Sequence, residues 1–248
     1  NEPSEIDNEL ILRRSTRINK GIAPERYGDC HSYKIQEKPV EPKTYKQAIT
    51  SVNSKEWIKA MKEEINSIET NGTWEACTLP SGKNAVGCKW VYKIKEDGKG
   101  NIMKYKARLV AQGFSQKYGI DYDEVFAPVA RSTTLRILLS IAGVNHYKVE
   151  HYDVKTAFLN GELKEEIYMK APPGFESGNR IFRLKKSLYG LKQAARVWNE
   201  TLHVVLIENG FIQNNTDNCL YKIVRGENIC YILIPVSYTH LTLPTNRE

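Results

Sequence analysis

Asp153 is the acid in this sequence best placed for chemistry. It closes the stretch Tyr147 to Val154, which reads as a strand, and it precedes a turn made of Phe158, Leu159, Asn160 and Gly161. A carboxylate exposed where a strand ends at the edge of a sheet can bind a hard divalent cation, although a lone Asp there also serves as a turn former or helix cap. Phe158 follows at a spacing that lets its ring wall the same pocket. Two basic blocks flank this point. Between Ala85 and Gly119, Lys89, Lys93, Lys95, Lys99, Lys104, Lys106, Arg108 and Lys117 outweigh Glu96 and Asp97 to give a net +6. Between Arg180 and Arg196, the residues Arg180, Arg183, Lys185, Lys186, Lys192 and Arg196 give another +6 with no acid among them. The whole chain is only +7, so the positive charge is local, as a polyanion-binding surface requires. Solvated faces of a hairpin and a helix would read the same way. Two-metal phosphoryl transfer needs at least two carboxylates, and Asp153 supplies one.

The elements that must position these residues are legible in part. Trp57, Met61, Ile65 and Ile68 recur at helical spacing, with Asn53 and Glu56 spaced as an N-cap and its reciprocal partner, and Asn71 and Gly72 as the stop. Val86, Cys88, Trp90, Tyr92 and Ile94 alternate with lysines, and Asp97 to Asn101 turns the chain into Ile102 to Ala111. That predicts a hairpin with one apolar and one basic face. Leu135, Leu138, Leu139 and Ala142 predict a second helix capped at Ser132 or Thr133. A long third helix is expected to turn Leu188, Leu191, Ala195, Trp198, Leu202 and Leu206 inward while its first turns carry Lys185, Lys186, Lys192 and Arg196. A second hairpin is expected over Asn218 to Pro235, turning at Arg225 to Asn228. Helices mixed with antiparallel strands, without a βαβ rhythm, indicate an α+β fold.

The 248 residues, 41% of them hydrophobic, allow one large domain or two small ones and exclude wholesale disorder. No apolar run is long enough to span a membrane, and Asn1 to Arg14 lacks the pattern of a secretory signal. Cys30, Cys77, Cys88, Cys219 and Cys230 form an odd set without a Cys-x-x-Cys pair, which points to a reducing interior rather than a disulfide framework. The five histidines are scattered, without metal-ligand spacing. Residues 1–43, interrupted by Pro3, Pro24, Pro39 and Pro42, read as a flexible linker, and the absence of an initiating Met reads as a piece of something longer.

Six ordered motifs then narrow the reading. These are KARLVAQGF (Lys106 to Phe114), GIDYDEVFAPVAR (Gly119 to Arg131), DVKTAFLNG (Asp153 to Gly161), EIYMKAPPGF (Glu166 to Phe175), SLYGLKQAARVW (Ser187 to Trp198) and DNCLY (Asp217 to Tyr221). Together they resemble the reverse transcriptase of Ty1/copia-type LTR retrotransposons. The resemblance covers residues 44–234, and the linker RRSTRINKGIAPERYGD (Arg13 to Asp29) resembles the segment joining integrase to reverse transcriptase in those polyproteins.

The resemblance implies the fingers and partial palm of a right-hand polymerase, an antiparallel sheet packed on helices, and an RNA-directed DNA polymerase (nucleotidyltransferase) activity in the parent protein. It implies that Asp153 is the first catalytic aspartate and holds Mg²⁺, or Mn²⁺ in its place, with the Val154 carbonyl. Phe158 would lie under the nucleotide sugar, and Lys106 or Arg108 would grip the triphosphate. Tyr189, Gly190, Lys192 and Gln193 would line the nucleotide and template side. Lys89, Lys93, Lys95, Lys104, Lys185, Lys186, Lys192 and Arg196 would face nucleic acid. The implied partners are an RNA template, a DNA primer and dNTPs, with integrase upstream and RNase H downstream and no membrane. The implied location is intracellular, in a cytoplasmic virus-like particle with a nuclear stage. The family's Tyr-x-Asp-Asp is missing where it is expected: Pro235, Val236, Ser237 and Tyr238 stand there instead. Residues 235–248 depart from the pattern and read as foreign sequence. Two expectations follow, an enzyme fragment inactive for lack of its second catalytic motif, or a non-catalytic module that binds RNA or an RNA–DNA hybrid.

Overall fold

The computed structural model describes residues 39–175 and 180–234. The chain divides after Val40, and everything below concerns the unit that begins at Glu41. The expected linker lies outside the described residues up to residue 38. Its last part is already fastened: the Glu41 carboxylate accepts from the Ile94 N–H at 2.9 Å and pairs with Lys93 at 3.0 Å. The tail over 235–248 also lies outside the described residues.

Two helices open the unit, α1 (Tyr45–Thr50) and α2 (Ser54–Thr70). The predicted stripe of α2 is buried, with Trp57, Met61, Ile65 and Ile68 joined by Ala60 and Glu64. The expected side-chain cap does not form. Asn53 has φ −96° and ψ 27°, outside the extended geometry of a capping residue, and only its carbonyl serves the first turn, receiving the N–H groups of Glu56 and Trp57. Asn71 and Gly72 end the helix, the glycine at φ +61°.

After the short strands β1 (Trp74–Cys77) and β2 (Ala85–Val86), β3 (Cys88–Glu96) pairs with β4 (Ile102–Ala111) in the predicted antiparallel ribbon. Asp97 builds its turn by accepting from the N–H groups of Lys99 and Asn101. The register places Trp90 opposite Leu109 and Tyr92 opposite Ala107 on one face. That face is buried under α2, where Trp57 meets Tyr92 and Tyr105 edge to face at 5.2 and 4.8 Å. Val86, expected in the same strand, is separated by Gly87 and pairs instead with Met169.

A four-stranded sheet in the order β1-β6-β5-β2 joins this core, and the sequence reading did not place its strands β1, β5 and β6. Its longest members are β5 (Glu162–Lys170) and β6 (Ile181–Lys186), antiparallel to each other, while β2 lies parallel to β5. Lys185 and Lys186 therefore stand on a strand. The helix α4 (Ala194–Glu208) begins only after the turn at Gly190, so Leu188, Leu191 and Lys192 precede it. Trp198 is half-buried, and Ala194, Val197, Asn199 and Leu206 take the inward positions. The last sheet, β7 (Ile212–Gln213), β8 (Leu220–Arg225) and β9 (Asn228–Leu233), contains the expected second hairpin. Its Tyr221 packs with Leu206 and Ile234.

The region around Asp153 departs most from expectation. The predicted helix α3 (Ser132–Val144) forms but buries none of its residues. The segment from Tyr147 to Val154 is not a strand; it runs exposed, without a ladder partner among the described residues. Alternation in sequence makes a strand only where another strand satisfies its backbone groups.

Candidate nucleotide and nucleic-acid site

The ribbon β3–β4 positions cations by its two-residue period. Residues opposite one another on the outer face are Lys89 and Val110, Val91 and Arg108, Lys93 and Lys106, Lys95 and Lys104. Two of these pairs set like charges directly across the ladder, which destabilises a ribbon unless an anion lies nearby. Carboxylates answer some of this charge: Lys93 pairs with Glu41 and Lys104 with Glu63, each at 3.0 Å between exposed groups. Lys89 and Lys95 are exposed. Lys106 is half-buried, and its burial, together with repulsion from Arg108 and Lys95, lowers its pKa against the opposing pull of Glu64 and Asp153.

Toward the end of β4 the ribbon meets the turn between β6 and α4. The Ala111 N–H donates to the Tyr189 carbonyl at 2.7 Å. Gly190, at φ +90°, lies so close that a Cβ there would stand 2.2 Å from the Ala111 carbonyl oxygen, and a Cβ on Gly113 would stand 2.1 Å from that of Gly190. Only glycines allow the two segments to pack this closely. The contact holds the Tyr189 ring beneath the Arg108 guanidinium, 5.2 Å from its centroid, and edge to face with Phe158 at 5.0 Å. Burial raises the Tyr189 pKa, and Glu64 and Asp153 add to the shift while Arg108 opposes it.

Phe158 stands on a single 3-10 turn, Ala157–Asn160, entered through Thr156 in the left-handed region at φ +52°. Leu159 anchors that turn in the core with no exposed surface. Asp153 and Val154 precede it and are exposed. The Asp153 charge acts on both Lys106 and Tyr189, more weakly than their burial and the charges nearer to them. Arg108, Tyr189 and Phe158 are thus brought together.

Other expected site residues are engaged within the fold. Gln193 is fully buried; its amide receives from Gln116 at 3.0 Å and donates to the Asp121 carbonyl at 2.9 Å, so it braces a loop and lines no opening. Lys192 donates to the Gln116 carbonyl at 3.1 Å and to the Tyr122 hydroxyl at 3.0 Å and lies over that ring. Arg196, only 15% exposed in its side chain, is shared between Glu165 at 3.1 Å, Glu200 at 2.6 Å and the Glu124 carbonyl. It is committed to an internal ion pair rather than presented to a polyanion. Gly190 acts through packing. Lys185 pairs with Glu75 at 2.6 Å on an exposed sheet face, and Lys186 is half-buried beside it.

A profile of the reverse transcriptase (RNA-dependent DNA polymerase) family matches residues 71–244, more than half of the chain. The chain belongs to that family. Within it, the chain is a copia-type reverse transcriptase region of a retrotransposon Pol polyprotein. It is 42% identical over 226 residues to the retrovirus-related Pol polyprotein from transposon TNT 1-94 of Nicotiana tabacum, covering 90% of this chain and 17% of that protein. It is 40% identical over 200 residues to that from transposon RE2 of Arabidopsis thaliana, covering 79% of this chain and 14% of the relative. The transposon Ty1-H Gag-Pol polyprotein of Saccharomyces cerevisiae is 31% identical over 193 residues, 72% of this chain and 10% of its own length. The chain therefore spans less than a fifth of these relatives. No solved structure matches it.

For this reverse transcriptase chain, the described residues do not complete a metal centre. No group of three or more His, Cys, Asp or Glu side chains among them converges as a metal site would. No described helix is long and apolar enough to cross a membrane.

Two buried acids were given no role in the sequence reading. Asp217, in the DNCLY motif, reaches 86 residues back to cap α3, accepting from the Thr134 hydroxyl at 2.6 Å and the Arg131 N–H at 3.2 Å. Burial pushes its pKa up, but those bonds, the Cys219 N–H and the Arg131 charge outweigh it and leave the pKa lowered. The local caps Ser132 and Thr133 are not used, so only the fold could reveal this one. Glu64 is the other: it is one step along α2 from an exposed acid and is itself buried.

Proposed function

We propose that the chain is the nucleotide- and template-binding part of an RNA-directed DNA polymerase, a fingers and partial palm unit that lacks the second catalytic motif. The observation that carries this reading is the convergence of Arg108 over Tyr189 and of Tyr189 against Phe158. Three motifs remote in sequence meet there. Chemically, the outer ribbon face offers cations to a phosphate backbone, and Lys106 or Arg108 takes the triphosphate of an incoming nucleotide. The Phe158 ring closes the sugar side, where a flat apolar edge collides with a ribose 2′-hydroxyl and favours deoxynucleotides. The substrates are an RNA template, a DNA primer and dNTPs, and the neighbouring Pol domains are integrase and RNase H, within an intracellular particle.

Family members of this kind use Mg²⁺, and Asp153 with the Val154 carbonyl is the half-site this chain would contribute. Because one carboxylate does not fit a two-metal centre, no catalytic step runs through it here. The expected result is that the chain binds a primed RNA template and extends it with neither Mg²⁺ nor Mn²⁺. Incorporation of dNTPs that Asp153→Asn abolishes would overturn the incompleteness. Absence of any binding to RNA or to an RNA–DNA hybrid would overturn the function itself.

A further inference from the structure

The turn that follows β4 carries a ring that the function above does not use. Phe114 stands in the middle of a single 3-10 turn, Gly113–Ser115, and at 81% exposure it is the most exposed aromatic side chain among the described residues. The turn beneath it is held on both sides. Before it, the Gln112 N–H donates to the Gly87 carbonyl at 2.7 Å, and Gly113 packs against the backbone of Gly190, next to Tyr189. After it, Gln116 is buried. Its side-chain oxygen accepts from the Lys192 N–H at 2.8 Å, its side-chain amide donates to Gln193 at 3.0 Å, and its carbonyl accepts from the Lys192 ammonium. A lone exposed ring is ordinary on a protein surface. A ring fixed on a turn whose glutamine anchors are buried is pre-organised, so a ligand that covers it loses little free energy to ordering the protein.

We propose that Phe114 stacks on an unpaired base of the template strand. This deepens the reading of the chain as a template-binding unit and rests on it. The surroundings favour a nucleic acid as the occupant. Three residues before Phe114, Ala111 is bonded to the Tyr189 carbonyl, and Tyr189 lies under Arg108 and against Phe158, so the turn adjoins the candidate nucleotide site. The cationic ribbon runs straight into the turn, with exposed Lys89 opposite Val110 near its end, and exposed Lys117 follows the turn. No acid stands in the sequence between Asp97 and Asp121, and Asp121 is itself occupied by the Lys117 N–H at 2.7 Å. Cations for the phosphates beside a flat ring for a base is the combination that holds single strands, and stacking accepts any base because each has a π-face. Bases inside a duplex already have both faces covered, so the ring selects an unpaired one. Tyr118, the next exposed ring, instead rests edge to face on Tyr122 at 5.8 Å.

The test is fluorescence anisotropy of the full chain with two RNA–DNA hybrids of the same duplex sequence, one blunt and one whose RNA strand carries a short unpaired 5′ extension. The wild type should bind the extended hybrid about five- to thirtyfold tighter than the blunt one. Phe114→Ala should lose most of that preference with its affinity for the blunt hybrid unchanged, and Phe114→Trp should keep it. Stacking releases no counterions, so Phe114→Ala should leave the salt slope for the extended hybrid at its wild-type value. A wild type without the preference, a preference that survives Phe114→Ala, one that Phe114→Leu keeps as fully as Phe114→Trp, or a slope that changes with the ring overturns the stacking alone. A wild-type dimer in sedimentation that Phe114→Ala converts to a monomer assigns the ring to a second copy of the chain and also overturns it. Failure to bind either hybrid overturns the template-binding reading and the stacking with it.

Discussion

The ribbon under α2 and the stretch from α3 to Asp153 carry motifs of the same family, yet they are held in opposite ways. The ribbon's apolar face is sealed by Trp57, Met61 and Ile68, and each strand satisfies the other's backbone. The α3 segment leaves Ile137, Leu139 and Val144 exposed, and Val149 and Tyr152 follow them into solvent. Its firm attachments are made at its ends, by Asp217 at the start of α3 and by Leu159 just past Asp153. The cationic ribbon is therefore held by packing, whereas the segment bearing Asp153 hangs between two anchors. A cationic face can be built from one local hairpin; an acid in a segment without ladder partners depends on distant anchors.

The sharpest way to break this contrast is at its seam. Gly190→Ala sets a Cβ against the Ala111 carbonyl in a backbone conformation that favours glycine, and should cost on the order of 3–5 kcal/mol, read as a lowered denaturation midpoint. Trp57→Ala should cost about 3–5 kcal/mol by opening a cavity under the ribbon. Arg196→Met follows at about 2–3 kcal/mol, since it strands Glu165 in a nearly buried position; a loss of RNA affinity without a loss of stability would contradict the internal role given to Arg196.

How legible all this was depended on how local the determinants are. The α2 stripe and the β3–β4 alternation lie within one turn or one hairpin, so period and turn residues sufficed to read them. The strands β1, β5 and β6 join residues far apart, and β5 begins with a charged run, Glu162 to Glu166, that masks its buried end at Ile167 and Met169. Lys185, Lys186 and Lys192 were misread as helical because nothing local shows that Gly190 is locked against Ala111. Gln193 was expected on the nucleotide and template side, and only its bonds to Gln116 and Asp121 explain its burial.

Smaller effects sharpen the other side of the comparison. Asp217→Asn should weaken the α3 anchor by about 2 kcal/mol at neutral pH. Because the folded-state pKa of Asp217 is lowered, its contribution is present in full above the ordinary aspartate range of about 4 and fades as pH falls through the folded value. The variant and the wild type should therefore converge in acid; a difference that persists there would count against the cap. Leu139→Ala, on the exposed face of α3, should change stability by no more than about 0.5 kcal/mol.

The most direct test of the central claim is the affinity of the chain for an RNA–DNA hybrid as a function of salt, measured by fluorescence anisotropy. The ribbon as a phosphate-binding face predicts a log–log slope of about −3 to −5, made shallower by about one per charge when Lys89, Lys95 and Lys106 are changed to Gln. A slope near zero in the wild type, or one those three substitutions leave unchanged, would contradict it.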